Sequence, residues 1–551
     1  VWLWSAFSSG GLLARQWLLP GLCLGLIGLL VAILLIYPRR PRQMSLLVLS
    51  LFGAFSLWTA FSAIWADSAD RALLEGGRTF AYLIFFALAA VYLTNSSARR
   101  LFRYLVMGAA LFILMACIWR LWTSDDPGAL FSVGRLSYPV ASPAGAAALF
   151  LVFFWPLIWL AAGSSESAPV RGVAAGLATG LLGLAVMAHS QEALWSLGVS
   201  AVIMFIVSPA RLRTLFYVVV PGLLMVYEFP NLNRYWKEGA EVVGGAAGAR
   251  TLLVATLTAA FMTMILALLE RWVKVSRRMK AIFGSIVFAG VLAAIIYGAV
   301  VATNDAGGPF EWLSRNWTDF TRQPIGQTVQ PEGETPSTPV EATADTPSEG
   351  RMDVWNVAWR SFEAQPVIGV GAGSFVFSYD RLRTSAASTP EHAHSLFLQV
   401  LAETGVIGAL LFVMSLLVGL GAFLWPRCTA GWRRARLAWL KPDRPLHDRV
   451  CHPHWGADPQ SYGWQMALLT SLAYWVLHGS VECLWQATGV GMAALLFLAA
   501  GLAEVDGRVD MVWPRTSAVL RMWTSYGDGR QALRPAGVLS VAFRASLLVL
   551  S

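Results

Sequence analysis

Residues 351 to 408 read RMDVWNVAWRSFEAQPVIGVGAGSFVFSYDRLRTSAASTPEHAHSLFLQVLAETGVIG and gather four arginines, two histidines and a glycine-spaced turn. Arginine keeps its charge at any working pH and offers phosphate oxygens a fork of donors. An imidazole takes up or gives up a proton near neutral pH. Side by side these groups suit chemistry on a phosphorylated substrate. His394 follows Pro390 and precedes an apolar helical run, so the pattern sets it at a helix N-terminus. There the helix dipole disfavours imidazolium and leaves a ring able to accept a proton, while the same terminus attracts anions. Nearby acids such as Glu391 pull the other way. His392 is a weaker competitor, and a histidine in a polar loop is often no more than solvated.

Arg351, Arg381 and Arg383 are the phosphate-binding candidates, and Arg135 (in GRLSYP) and Arg78 join them if the fold brings them near. A lone loop arginine is usually a solvated charge; several near one histidine are less easily dismissed. Gly369, Gly371 and Gly373 suit a tight turn or, less often, a backbone nest for phosphate, with Gly371 and Gly373 the candidate contacts. They are no dinucleotide fingerprint, because no strand-helix-strand unit surrounds them. His189, Glu192, His478 and Glu482 lie within or at the ends of apolar runs, where ionisable groups are functional candidates. His478 and Glu482 are four apart, a spacing that puts both on one helix face and suits them to pair with each other. Glu403, on the helix that His394 precedes, is a further candidate for support.

The elements that position these residues are read from composition. The chain has 551 residues, 56% hydrophobic and only 13% charged, against about 25% charged in soluble domains. The fold class expected is an all-α polytopic membrane protein with about 12–14 transmembrane helices. Apolar runs centre near residues 27, 55, 87, 112, 150, 178, 200, 221, 260, 291, 413, 474 and 494. Arginines crowd alternate linkers (39–42, 99–103, 211–213, 270–280 and 427–462), which the positive-inside rule assigns to the cytoplasm. The intervening linker 303–393 holds six arginines against twelve acids, a net charge of −6, and should face outside. The formal net charge of +9 is thus explained by topology; no basic helix stands clear of the membrane, so nucleic acid is not an expected partner.

The expected organisation is an N-terminal bundle (1–302), a large extracytoplasmic loop (303–394) carrying short helices, C-terminal spans (395–503) and a cytoplasmic tail (504–551). Within the loop, 323–350 is rich in Pro, Thr and Glu and reads as a mobile linker. Order resumes at Arg351: Met352, Trp355, Trp359 and Phe362 recur at helical spacing, predicting an amphipathic helix on the membrane surface or the helix bundle, ended by Pro366. Ser395 to Glu403 predicts a second helix, with Gly405 and Gly408 loosening the chain before the next span. Residues 1–10 suit the remnant of an earlier helix, and no cleavable signal peptide is evident. None of the five cysteines lies in the outer loop, so no disulfide framework is implied. Cys451, His452 and His454, with His447 and Cys428, fit no common zinc spacing, and no metal site is expected.

The order R…W…P-x-x-G-x-G…H-S-x-x-L…E-x-G, carried by RMDVWNVAWRSFEAQPVIGVGAGSF and HSLFLQVLAETGVIGALLF, with GRLSYP upstream and HGSVECLW downstream, resembles the O-antigen ligase and O-antigen polymerase superfamily of membrane glycosyltransferases. The likeness covers roughly 130–210 and 351–425 and is nearest to ligase-like proteins of actinobacterial type. It implies an inverting, metal-independent transfer, with no cofactor, at the outer face of the plasma (inner) membrane. The donor would be a glycan on undecaprenyl diphosphate, the acceptor a lipid, a wall polymer or another glycan. The family's loop histidine falls on His394 and a loop arginine on Arg351, making these the implied catalytic pair. Two positions depart from the pattern: Ser190-Gln191-Glu192 stands where Ser-Arg-Gly is common, and Ala144 where Asn is common. A polymerase that extends one lipid-linked chain on another is the near alternative; a transporter or an inactive scaffold are the more distant ones.

Overall fold

The computed structural model describes residues 2–34, 43–208, 210–272, 308–322, 350–383, 390–440 and 459–509, with scattered positions between 282 and 303. The expected linker 323–350 (its last residue apart), the loop cluster at His447 and Cys451–His454, and the tail beyond 509 lie outside the described residues.

The chain is an all-α polytopic membrane protein. In order, its helices are α1 (Trp2–Phe7), α2 (Ala14–Leu34), α3 (Gln43–Phe61), α4 (Ala69–Tyr92), α5 (Ser96–Thr123), α6 (Pro143–Leu151), α7 (Phe154–Ala162), α8 (Ala168–Met187), α9 (Gln191–Val207), α10 (Arg211–Glu238), α11 (Ala240–Val243), α12 (Gly245–Trp272), α13 (Pro309–Arg322), α14 (Arg351–Ala364), α15 (Phe375–Leu382), α16 (Leu396–Leu440), α17 (Pro459–Gly479) and α18 (Thr488–Val509). Among the described residues, 10 helical segments are long and apolar enough to cross a membrane. The spans expected near 200 and 474 appear as the shorter apolar helix α9 and as α17, and the one near 291 falls where few residues are described.

Helices α6–α8 and α18 form the centre: the spans Pro143–Ala162, Ala168–Met187 and Thr488–Val505 are buried over 100%, 83% and 94% of their apolar windows. Lipid tails are as apolar as leucine, so close backbone packing holds such helices together rather than the hydrophobic effect. Small residues on α8 supply it. A Cβ at Gly172 would meet Ala260 O at 2.6 Å, and one at Gly176 would meet Thr256 O at 2.7 Å, so α8 lies against the backbone of α12. By contrast α2 leaves Leu19, Leu22, Leu26 and Leu30 exposed, as a helix facing lipid should.

Three local features shape the site. First, a two-residue turn at Val133 and Gly134, both with positive φ (49° and 71°), closes the hairpin of β1 (Phe131–Ser132) and β2 (Arg135–Leu136). Positive φ at both turn positions matches the twist of a hairpin. Second, α16 starts as the helix expected from Ser395 to Glu403 and breaks at Gly405 (φ 61°, ψ −168°) before continuing along its span. Third, α14 forms where expected, but its buried face differs from the expected Met352, Trp355, Trp359 and Phe362 stripe. Arg351, Val354, Val357, Ala358 and Ser361 are buried, while Met352 and Trp359 are exposed. Compact side chains fit beneath Phe375 and Tyr379 of α15 and Ala393 and Ala402; the larger rings stay at the rim.

Candidate functional site

Arg351 is the first residue of α14 and only 7% exposed. Its Nη2 donates to Glu482 Oε1 at 2.5 Å and lies 3.5 Å from Glu192 Oε1. Its Nη1 donates to the Phe320 carbonyl at 3.2 Å, and the guanidinium sits over the Phe320 ring at 4.4 Å. The other Glu482 oxygen, Oε2, lies 3.2 Å from His394 Nδ1. One carboxylate thus bridges the two residues that the sequence singled out as a pair. His394 is the residue before the helix cap: Ser395 Oγ accepts from Leu398 N at 3.4 Å. Its backbone takes φ 46°, a left-handed conformation that non-glycine residues adopt at a cost and often at functional sites. Its carbonyl accepts from Trp355 Nε1 at 3.4 Å.

The electrostatics follow from this geometry. Burial alone would lower the His394 ring, but Cys483 and Glu482, both hydrogen-bonded to it, outweigh burial and push it up to about 10. Burial would raise Glu482, yet Arg351 and His394 hold it well below the usual carboxylate range. The helix N-terminus therefore does not decide the His394 charge; a carboxylate in hydrogen-bonding contact outweighs a partial dipole charge. His392, two residues away, goes the opposite way: burial first, then Arg78, His394 and Arg71, lower it to about 3. Its Nδ1 is buried with no hydrogen-bond partner. The two neighbouring histidines are thus shifted in opposite directions, His392 by burial and nearby cations and His394 by its partners Cys483 and Glu482.

The other candidate cations are engaged elsewhere. Arg381 forks onto Asp67 (3.0 and 2.7 Å), Arg383 lies 3.6 Å from Asp380, and Arg78 pairs with Glu75 at 2.8 Å. Arg135 stands over Trp236 at 4.7 Å, and His189 stacks on the same ring at 4.7 Å. That stack abuts the start of α9, where Glu192 sits. The pairing expected between His478 and Glu482 does not form, because α17 ends at Gly479 and the chain turns before Glu482. His478 Nδ1 instead faces Tyr474 Oη at 3.2 Å.

The backbone donors of the glycine turn are already occupied by the Glu403 side chain. Phe375 N donates to Glu403 Oε1 at 3.3 Å, and Gly373 N also donates to that carboxylate. Gly371 N donates to Glu403 O at 2.9 Å and Ala372 N to Ser62 Oγ at 3.0 Å. A Cβ on Gly371, at φ +96°, would meet Ala66 Cα at 2.5 Å. Gly371 and Gly373 thus seat the loop against Glu403 and the segment after α3. Glu403 is the support residue of this turn.

Sequence reasoning missed the tie between Glu192 and Arg351 and the Cys483 contact with His394. The signal for the first was present: Glu192 is an acid opening an apolar helix, and such a group needs a cation. Its partner lies 159 residues away. Among the described residues no group of three or more His, Cys, Asp or Glu side chains is arranged to hold a metal ion.

Residues 242–413 match the family model described as O-antigen ligase. No curated protein matches the chain. The matched segment includes Arg351 and His394; Glu192 and Glu482 lie outside it.

Proposed function

We propose, from the match of residues 242–413 to the O-antigen ligase family model, that the chain acts as a member of the O-antigen ligase and polymerase superfamily. On that reading it transfers a glycan from a polyprenyl (undecaprenyl) diphosphate to an acceptor hydroxyl. The transfer takes place at the extracytoplasmic face of the plasma membrane, in the assembly of a cell-surface polysaccharide. The observation that carries this reading is the buried Arg351–Glu482–His394 cluster, where a permanent cation and a proton-exchanging ring share one carboxylate.

Each residue then has a task. With Nδ1 turned to Glu482, the Nε2 of His394 is the nitrogen that takes the proton of the acceptor hydroxyl as its oxygen attacks the anomeric carbon. The bond from that carbon to the diphosphate oxygen breaks, and its electron pair leaves with the diphosphate. Arg351 stabilises the charge that gathers there. Of its two carboxylate contacts, Glu192 at 3.5 Å is the longer and is the one a diphosphate would replace. Attack from the face opposite the leaving group inverts the anomeric centre. The lipid tail lies between helices in the bilayer.

The test is transfer by the purified protein in lipid nanodiscs, supplied with a polyprenyl-diphosphate-linked oligosaccharide. Release of polyprenyl diphosphate with the glycan appearing on a lipid or wall-polymer acceptor supports a ligase; growth of the donor chain itself marks a polymerase. Donor consumption that is unchanged in Arg351→Lys and His394→Ala would sink the proposal.

A further inference from the structure

Glu482 lies in the eight-residue connection between α17 and α18 (residues 480–487), outside the matched family segment. That connection is tightly fixed. The Trp485 ring is 4.7 Å from Tyr82, 5.2 Å from Phe412 and 6.0 Å from Phe52. Its carbonyl accepts from Tyr82 Oη at 2.7 Å, and Thr488 Oγ1 donates to Gly11 O at 3.0 Å. These contacts anchor in the core of the bundle the part of the connection that follows Glu482.

We infer that Glu482 is the positioning residue of the site: it fixes the His394 tautomer and ring orientation through Nδ1 and aims the Arg351 guanidinium through its other oxygen. The inference rests on the reading of Arg351 and His394 given above. The geometry carries it in two ways. A carboxylate that served only to neutralise Arg351 has no need to present its second oxygen to an imidazole on a different element. And a carboxylate at Nδ1 favours the tautomer that carries its proton there, which leaves the lone pair on Nε2.

The groups facing His394 are Glu482 and Cys483 from the connection, and His392 on its own segment. Trp355 from α14 contacts it through the backbone. Behind Glu482 stand Arg351 of α14 and, through it, Glu192 of α9. Of the two acids, only Glu482 touches the ring. Removing its charge should therefore move the His394 titration, and removing the charge of Glu192 should move it far less.

The test reads the ring directly, by nitrogen-15 NMR of histidine-labelled full-length protein in nanodiscs, with the His394 signals assigned by their loss in His394→Gln. Wild-type His394 should titrate above 6.5 and, when neutral, carry its proton on Nδ1. In Glu482→Gln the midpoint should fall by about one pH unit or more, the scale of losing an opposite charge at this range, and the tautomer preference should weaken. The acidic limb of the kcat/KM profile should fall with it, whereas a purely structural loss lowers kcat/KM at every pH without moving the limb. Should Glu482→Gln fail to fold, Glu482→Asp decides, because it keeps the charge but shortens the reach by one carbon: a lowered midpoint supports the assignment. An unchanged midpoint and tautomer in the folded variant overturns it, whatever the activity. A shifted midpoint in a protein that transfers no glycan from a polyprenyl diphosphate would leave the positioning role standing and remove the proposed reaction.

Discussion

Replacing Arg351 separates what the residue does for the fold from what it does for chemistry. Arg351→Ala removes the cation facing Glu482 and Glu192, each 7% exposed, and leaves Glu192 without its ion pair and Glu482 with His394 alone. Breaking a buried pair in this way costs about 3–5 kcal/mol, enough to lower the yield of folded protein. Arg351→Lys keeps the charge and should fold. It cannot keep the fork: in the wild type Nη2 serves Glu482 and Glu192 while Nη1 serves the Phe320 carbonyl, and an ammonium presents all its donors from one shorter-reaching atom. Losing one charge-assisted hydrogen bond is worth about 1.5–3 kcal/mol, or roughly 10- to 150-fold in rate if the contact is made in the transition state. The assay pairs initial transfer rates in nanodiscs with thermal unfolding followed by tryptophan fluorescence. The double variant Arg351→Ala, Glu192→Gln should unfold at a higher temperature than Arg351→Ala, since one orphaned charge is gone. A lysine variant within threefold of wild type, or a double variant no more stable than the single, would refute the reasoning and return Arg351 to an ordinary buried ion pair.

The remaining predictions concern the histidines, the turn and the topology. A base must be neutral to accept a proton, and the His394 ring is pushed up to about 10, so kcat/KM should rise about tenfold per pH unit from pH 7 to 9; a profile flat across that range would contradict a base at His394. His394→Ala should lose on the order of 10² to 10⁴ in rate and remain in the membrane, while His392→Ala, whose ring is already neutral, should lose far less; equal losses would break the assignment. Gly371→Ala places a Cβ at 2.5 Å from Ala66 at φ +96°, so it should destabilise the protein by about 2 kcal/mol or more, visible as a lower unfolding temperature, and a neutral result would mean that the turn has room. Cysteines placed at Thr346 and Ala430 in a background without native cysteines should label from opposite sides of the membrane, the acidic linker outside and the arginine-rich one inside; labelling of both from one side would reverse the topology.

The parts of this molecule that were legible in the sequence depend on local pattern. Spanning helices announce themselves by length and apolar content, and the helix from Arg351, its stop before Pro366 and the break at Gly405 follow from helix period and breaker residues. What was not legible depends on tertiary partners. Arg381 is taken up by Asp67, 314 residues away, and no spacing rule carries that information. The glycine turn was ambiguous for a different reason: positive φ serves a phosphate nest and a close backbone approach equally well, and only the fold shows that the Glu403 side chain occupies the turn's donors. The i, i+4 spacing of His478 and Glu482 misled because it presumes one continuous helix, and α17 stops at Gly479 before the second residue is reached.

The cluster also explains why a family segment alone would not make a site. Arg351 and His394 fall within residues 242–413, but the carboxylates that hold them enter from α9 on one side and from the connection before α18 on the other. Four groups separated by up to 290 positions meet only when the central bundle has assembled around α6, α8 and α18. Until then each is an unpaired charge that prefers water. The low exposure of all three ion-pair members has an electrostatic consequence: burial in low dielectric strengthens every contact among them. Glu192 stands where the family pattern commonly places glycine after an arginine. The departure at Ser190-Gln191-Glu192 thus puts a second carboxylate 3.5 Å from Arg351.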